Sequence, residues 1–187
     1  MGKVIGIDLD STLNNLTKKW IDTYNEEYND NLTINDITEW DLSKIVKPEC
    51  GKKIFDIIHR PGFFYENMEV IEGSQDVTKW LIEKKKYDIY IVTAYFPNVL
   101  MDKFKWLEKY FPHISLKKVI PCNFKNRFNG DFLIDDGGHN IRDFNKANKD
   151  SVGLLLDLPC PWNHNYTDIK LRMKSWEDIR TYFKENV

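Results

Sequence analysis

Four carboxylates in two close pairs define the chemistry open to this sequence. Asp8 and Asp10 stand two apart in Asp8-Leu9-Asp10-Ser11-Thr12, and Asp135 and Asp136 are adjacent after Phe132-Leu133-Ile134. Carboxylates gathered at one point repel one another unless a hard cation lies between them, and Mg²⁺ favours carboxylate oxygens together with water and phosphate. A phosphate presented there is open to in-line attack by a carboxylate, giving an acyl-phosphate. The leaving oxygen then needs a proton and the acyl-phosphate needs an activated water. A carboxyl group two positions from the nucleophile can do both in turn. A hydroxyl and an ammonium can hold the phosphoryl oxygens as charge redistributes, and Thr12, Thr93 and Lys125 are the candidates for that work.

These residues need elements that bring them together. Val4-Ile5-Gly6-Ile7 is an uninterrupted apolar run, the pattern of a strand covered on both faces. Similar runs recur at Tyr87-Asp88-Ile89-Tyr90-Ile91-Val92, Lys118-Val119-Ile120, Phe132-Leu133-Ile134 and Val152-Gly153-Leu154-Leu155-Leu156. Helical patterns separate them. Ser74 is the expected N-cap of one helix, with Val77, Trp80 and Leu81 on its apolar face. Leu100, Phe104, Leu107 and Phe111 form a second stripe. A last helix is expected from Ser175, with Asp178 as capping partner and Ile179, Tyr182 and Phe183 buried.

Alternating strands and helices indicate an α/β fold with a mostly parallel sheet and right-handed crossovers. Such sheets bind ligands beyond the carboxyl ends of their strands. Asp8, Asp10 and Thr12 follow the first strand, Thr93-Ala94 end the second, Lys125 follows the third and Asp135-Asp136 the fourth, so one rim would collect them all.

The interval before Ser74 is too long for a crossover. Leu16, Trp20, Tyr24 and Tyr28 recur at helical spacing, Ile54, Phe55, Ile57 and Ile58 cluster, and Pro61-Gly62-Phe63-Phe64 follows. Residues 15–73 therefore read as a small helical cap inserted after the first strand, over a core of residues 1–14 and 74–187. Trp20, Tyr24 and Tyr28 read as a packed face, whereas Trp40, Phe63, Phe64 and Tyr65 are candidates for stacking on a base.

The ordered set Asp8-x-Asp10-x-Thr12, Thr93, Lys125 and Asp135-Asp136 resembles the four motifs of the haloacid-dehalogenase-like (HAD) phosphatases. The likeness spans nearly the whole chain and is sharper for their 5′(3′)-deoxyribonucleotidase branch. Pro61-Gly62-Phe63-Phe64 with Met68-Glu69-Val70-Ile71-Glu72-Gly73 is similar to that branch's return from cap to core. Lys103-Phe104-Lys105-Trp106-Leu107-Glu108 resembles its Lys-Tyr-x-Trp-x-Glu helix, and the step from Lys125 to Asp135 also matches.

This resemblance implies a three-layer Rossmann-like core and a nucleoside monophosphate substrate. It implies Asp8 as nucleophile, Asp10 as general acid/base, and Mg²⁺ held by the Asp8 carboxylate, the Asp10 carbonyl and Asp136, with Asp135 just behind. Thr93, Ala94 and Lys125 would hold phosphate, and Leu16, Trp40, Gly62 and Phe63 would meet the rest of the substrate. Ala94 stands where the branch often has Ser, which leaves that contact to the backbone. Pro159-Cys160-Pro161-Trp162-Asn163, similar to a segment near the family's active face, reads by itself as a structural loop.

Composition narrows the partners. The 187 residues carry a formal charge of −2 and no long basic run, which disfavours binding to a long nucleic acid. Cys50, Cys122 and Cys160 are odd in number and widely spaced, and the four histidines show no HExxH spacing, so neither a disulfide framework nor a zinc site is expected. Met1-Gly2-Lys3 runs straight into a strand, so no signal peptide is expected, and no apolar run approaches membrane length. A cytoplasmic setting fits, with oligomeric state open and a homodimer compatible. Three other readings stay open: a HAD phosphatase for a non-nucleotide phosphometabolite, a receiver-like phosphoacceptor domain and a catalytically silent nucleotide-binding protein.

Overall fold

The computed structural model describes residues 2–62, 68–158 and 161–187. The apolar runs form one sheet: β1 (Val4–Ile7), β2 (Asp88–Thr93), β3 (Val119–Pro121), β4 (Phe132–Asp135), β5 (Val152–Leu156) and β6 (Arg172–Met173). Their order is β3-β2-β1-β4-β5-β6, and every pairing is parallel. The expected mostly parallel sheet is therefore wholly parallel in the described residues. β6 has only two residues, too few to leave a periodic signal in the sequence.

Strand alternation divides the core in two. Phe132 and Ile134 of β4, with Leu154 and Leu156 of β5, enter one large apolar cluster, while Leu133 and Leu155 enter a smaller one on the opposite face. The large cluster is completed by α3 (Ser74–Glu83), α4 (Leu100–Tyr110) and α6 (Trp176–Glu185). The small one is completed by Ile141 and Phe144 of α5 (Gly138–Ala147). Helix, sheet and helix thus form the three layers. On the smaller side Gly6 leaves room for the Phe128 ring: a Cβ there would lie 2.6 Å from a ring carbon.

Between β1 and α3 the chain forms α1 (Leu16–Tyr28), short 3₁₀ turns and α2 (Ile54–Ile58). The Trp20 indole N–H donates to the Ile54 carbonyl at 2.8 Å and ties α1 to α2. The chain leaves and returns side by side, since Ile71 N–H bonds the Leu13 carbonyl at 2.9 Å and Asn15 N–H bonds that of Glu69 at 3.0 Å.

Helix details depart from expectation in four places. Ser74 is the first helical residue rather than the cap; Gly73 occupies the cap with φ 77°, and the Ser74 hydroxyl donates back to the Ile71 carbonyl. α4 buries Asp102, Lys103, Trp106 and Leu107, leaving Leu100 and Phe104 half-buried. In α6 Ser175 does cap the Asp178 N–H, but Asp178 accepts from Lys174 rather than closing a box with Ser175. Trp176 takes the deeply buried place expected of Tyr182, which is half-buried. Among the described residues no helix is long and apolar enough to cross a membrane.

Candidate active site

The site begins where β1 ends. The Asp8 N–H donates to the Ile134 carbonyl at 2.9 Å, so the ladder with β4 continues one residue past the strand and sets Asp8 beside the Asp135-Asp136 pair. The chain then turns sharply, with Ser11 in the left-handed region at φ 56° and Leu13 N–H returning to the Leu9 carbonyl at 2.9 Å. Fully buried Asn14 braces the turn. Its amide oxygen accepts from the N–H groups of Ser11 and Leu16, and its amide nitrogen donates to the Asp10 carboxylate at 3.3 Å.

Lys125, on a short turn after β3, binds the Asp8 carboxylate and the Asp135 carboxylate at 2.7 Å each. The other Asp135 oxygen accepts from the Gly137 N–H at 2.8 Å and the Asn140 amide at 2.9 Å. Asp8, Asp135 and Asp136 are buried, and each offers a carboxylate oxygen within 4.8 Å of the others.

Burial is the main force on these groups. It pushes the Asp8 carboxyl up to about 7, with repulsion from Asp135 and Asp10 adding and Lys125 opposing. Burial, then Asp135 and Asp8, raises Asp136 well above the usual carboxylate range. Burial alone would lower the Lys125 pKa, but Asp135 and Asp8 together hold it above the ordinary lysine value.

A second ammonium stands opposite. Lys103 of α4, with no exposed surface, donates to the Asp10 carboxylate at 2.6 Å, the Thr93 hydroxyl at 2.8 Å and the Ala94 carbonyl at 3.0 Å. Two ammonium groups thus face four carboxylates. A hard divalent cation suits the remaining negative charge and the all-oxygen donor set.

Above this floor opens a cavity of about 590 Å³. Asp8, Asp10, Ala94, Lys125 and Asp136 line it, as do Leu16 and Trp40 of the sequence-predicted set. Trp20, Phe55, Ile58 and Phe96 add apolar wall. That combination, apolar walls over a few converging polar groups, is typical of a small-molecule site. Thr93 and Asp135 stand one layer behind, bonded to Lys103 and Lys125.

Other expected residues lie elsewhere. Thr12 is fully buried beneath the turn; its carbonyl accepts from the Trp176 indole, and its hydroxyl has no hydrogen-bond partner among the described residues. Gly62, at φ 74°, donates its N–H to the Asp102 carboxylate and is not among the described residues that line the cavity. Phe63, Phe64 and Tyr65 lie outside the described residues. Sequence reasoning assigned no role to Asn14, Asn140 or Asn163, and it met Lys103 and Asn163 only inside segments that resemble the family's. Lys103 was detectable in one way, as the first residue of the Lys103–Glu108 segment that resembles the family's helix, and the structure puts it on the buried face of α4 with Trp106 and Leu107.

The family model described as 5′ nucleotidase, deoxy (pyrimidine), cytosolic type C protein matches residues 2–184. The chain belongs to this family. It is 39% identical to the 5′(3′)-deoxyribonucleotidase of Clostridium acetobutylicum, over 94% of this chain and 92% of that protein. It is 36% identical to the 5′(3′)-deoxyribonucleotidase of Bacillus subtilis, over 96% and 97%. Among solved structures, a HAD-family hydrolase from Deinococcus radiodurans with bound phosphate and sodium matches with TM-score 0.66 at 13% identity, covering 98% of this chain and 96% of that one. A magnesium-bound HAD hydrolase from Bacillus subtilis matches with TM-score 0.61 at 17% identity, over 100% and 99%. Those two likenesses concern the fold, and they agree with the three-layer arrangement of this type C 5′-nucleotidase family member.

Proposed function

We propose that this member of the type C 5′-nucleotidase family hydrolyses nucleoside monophosphates, deoxyribonucleotides by preference, through an aspartyl-phosphate on Asp8. One observation carries the reading: Asp8, Asp135 and Asp136 offer carboxylate oxygens within 4.8 Å of one another, and Asp8 and Asp136 line the floor of a cavity walled by apolar and aromatic side chains. The two relatives named 5′(3′)-deoxyribonucleotidase support the substrate class.

Asp8 and Asp136, with the Asp10 carbonyl, would hold Mg²⁺, and Asp135 would stand behind them. The ion, when bound, neutralises carboxylate and phosphate charge so that the anionic nucleophile and substrate can approach. The protein's own groups do the rest. An Asp8 oxygen attacks phosphorus, the bond from phosphorus to the ester oxygen breaks, and that oxygen takes the proton of the Asp10 carboxyl. Asp10, now a carboxylate, takes a proton from water as the water oxygen attacks phosphorus. The Asp8–phosphorus bond then breaks, releasing inorganic phosphate and restoring Asp8.

Lys125 and Lys103 anchor the two carboxylates on opposite sides. The Ala94 backbone, which lines the cavity beside Lys103, suits the phosphoryl oxygens, and Thr93 would support it from behind through Lys103. Residues 15–73 act as the cap, where Leu16 and Trp40 meet the nucleoside, and the setting is cytoplasmic.

The test is phosphate release with Mg²⁺ from dUMP, dTMP, UMP, AMP and a sugar phosphate. Turnover of the deoxynucleotides above the others is expected. Efficient cleavage of the sugar phosphate with every nucleotide ignored would overturn the substrate assignment.

A further inference from the structure

Asn163 is a completely buried amide whose two ends both grip the loop that carries Asp136. Its nitrogen donates to the Asp136 carbonyl at 2.7 Å, and its oxygen accepts from the Gly138 N–H at 3.0 Å. Among the described residues no other side chain bonds those two backbone groups. Asp135 is fixed separately, through its own carboxylate, by Lys125, Gly137 and Asn140.

Asn163 is itself held from behind. Its carbonyl accepts from the Tyr166 N–H and from the Arg172 guanidinium, each at 3.1 Å. Arg172 on β6 is anchored in turn by Asp157 and the Tyr166 carbonyl. The fit at the loop is close: a Cβ on Gly138 would come within 2.4 Å of the Tyr166 ring and 3.0 Å of the Asn163 oxygen.

We propose that Asn163 is a positioning residue for the metal site, fixing the backbone of residues 136–138 so that the Asp136 carboxylate is aimed before the cation arrives. The physical reason is preorganisation. A ligand whose backbone is already fixed loses little freedom when it binds, and outer partners of metal ligands commonly contribute ten- to a hundredfold in affinity. An amide suits the task because it presents one donor and one acceptor from a single rigid plane. Asp would lose the donor, and Leu would lose both. The inference rests on the reading of Asp136 as a metal ligand.

The test is calorimetric titration of the chelator-treated protein with MgCl₂, well below the thermal midpoint of each variant. Asn163→Ala should bind Mg²⁺ roughly ten- to a hundredfold more weakly than wild type. Its kcat at saturating Mg²⁺ should stay near wild type while the apparent KM for Mg²⁺ rises, a split that general destabilisation would not produce. Where Asn163→Ala fails to fold, Arg172→Gln is decisive: it loosens the Asn163 carbonyl and should weaken Mg²⁺ binding in the same direction by a smaller factor. Wild-type affinity in whichever of these variants is folded overturns the proposal while leaving the metal reading intact. Failure of the wild-type protein to bind Mg²⁺ removes both.

Discussion

Asp8 and Asp10 carry the same side chain in different surroundings, and the proposed mechanism gives them different roles, attack for Asp8 and proton transfer for Asp10. Asp8 is enclosed, touches Lys125 and is pushed up to about 7, mainly by burial. Asp10 keeps 17% of its side chain exposed, and its two oxygens accept from Lys103 and Asn14. Asp8→Asn should therefore abolish turnover, because an amide does not attack phosphorus. Asp10→Asn removes proton transfer and should slow turnover by about 10²–10⁴-fold, with a phosphorylated protein detectable by mass spectrometry after rapid acid quench. Turnover near wild type in Asp8→Asn would refute nucleophilic attack by that residue. Asp8, Asp10, Asp135 and Asp136 were legible in the sequence because each pair follows a strand directly and the strand dictates where it points. The partners of Lys103 and Asn163 were not, since those contacts span 93 and 27 positions, although both residues lie in segments that resemble the family's.

At the scale of elements, the strands were the legible part. Apolar runs favour strands of a parallel sheet, and five of the six strands in the described residues stand where those runs lie, four of them largely buried and the edge strand β3 largely exposed. Helix faces were less legible. The expected stripe on α4 followed hydrophobicity, whereas the actual face turns Lys103 inward to Asp10 and Trp106 inward to the Met68 carbonyl. Those hydrogen bonds outweigh what hydropathy alone predicts. The sheet itself yields a test at Gly6. The Phe128 ring lies over both Gly6 and Gly130, with added Cβ atoms 2.6 and 2.3 Å from it, so a side chain at position 6 must displace the ring. Gly6→Val should cost about 1–3 kcal/mol through overpacking, read as a lower denaturation midpoint in urea. An unchanged midpoint would mean that the ring repacks freely and that the small residue at position 6 is not required by packing.

For the molecule as a whole, the carboxylate cluster links stability, metal and pH. Asp8, Asp135 and Asp136 are buried together, and concentrating their charge works against folding. A cation that binds only the folded chain stabilises it, by about 2.7 kcal/mol at a hundred times its dissociation constant. Adding Mg²⁺ to chelator-treated protein should therefore raise the thermal midpoint, and Asp136→Asn should abolish most of that rise. The pH dependence has a definite sign. The Asp8 carboxyl sits at about 7 in the folded metal-free protein against 3.8 for the ordinary group, so between those values the folded state holds a proton that the unfolded state has released. Stability from this group therefore grows as pH falls through 7 and is lost as pH rises through it. Mg²⁺ must displace that proton to bind. The Mg²⁺-induced rise should accordingly be large at pH 8 and small at pH 5.5, with each pair of melts recorded at one pH so that every other titrating group cancels. An equal or larger rise at pH 5.5 would mean that the cation does not bind through the Asp8 and Asp136 carboxylates, and the assignment of this cluster as the metal site would fall.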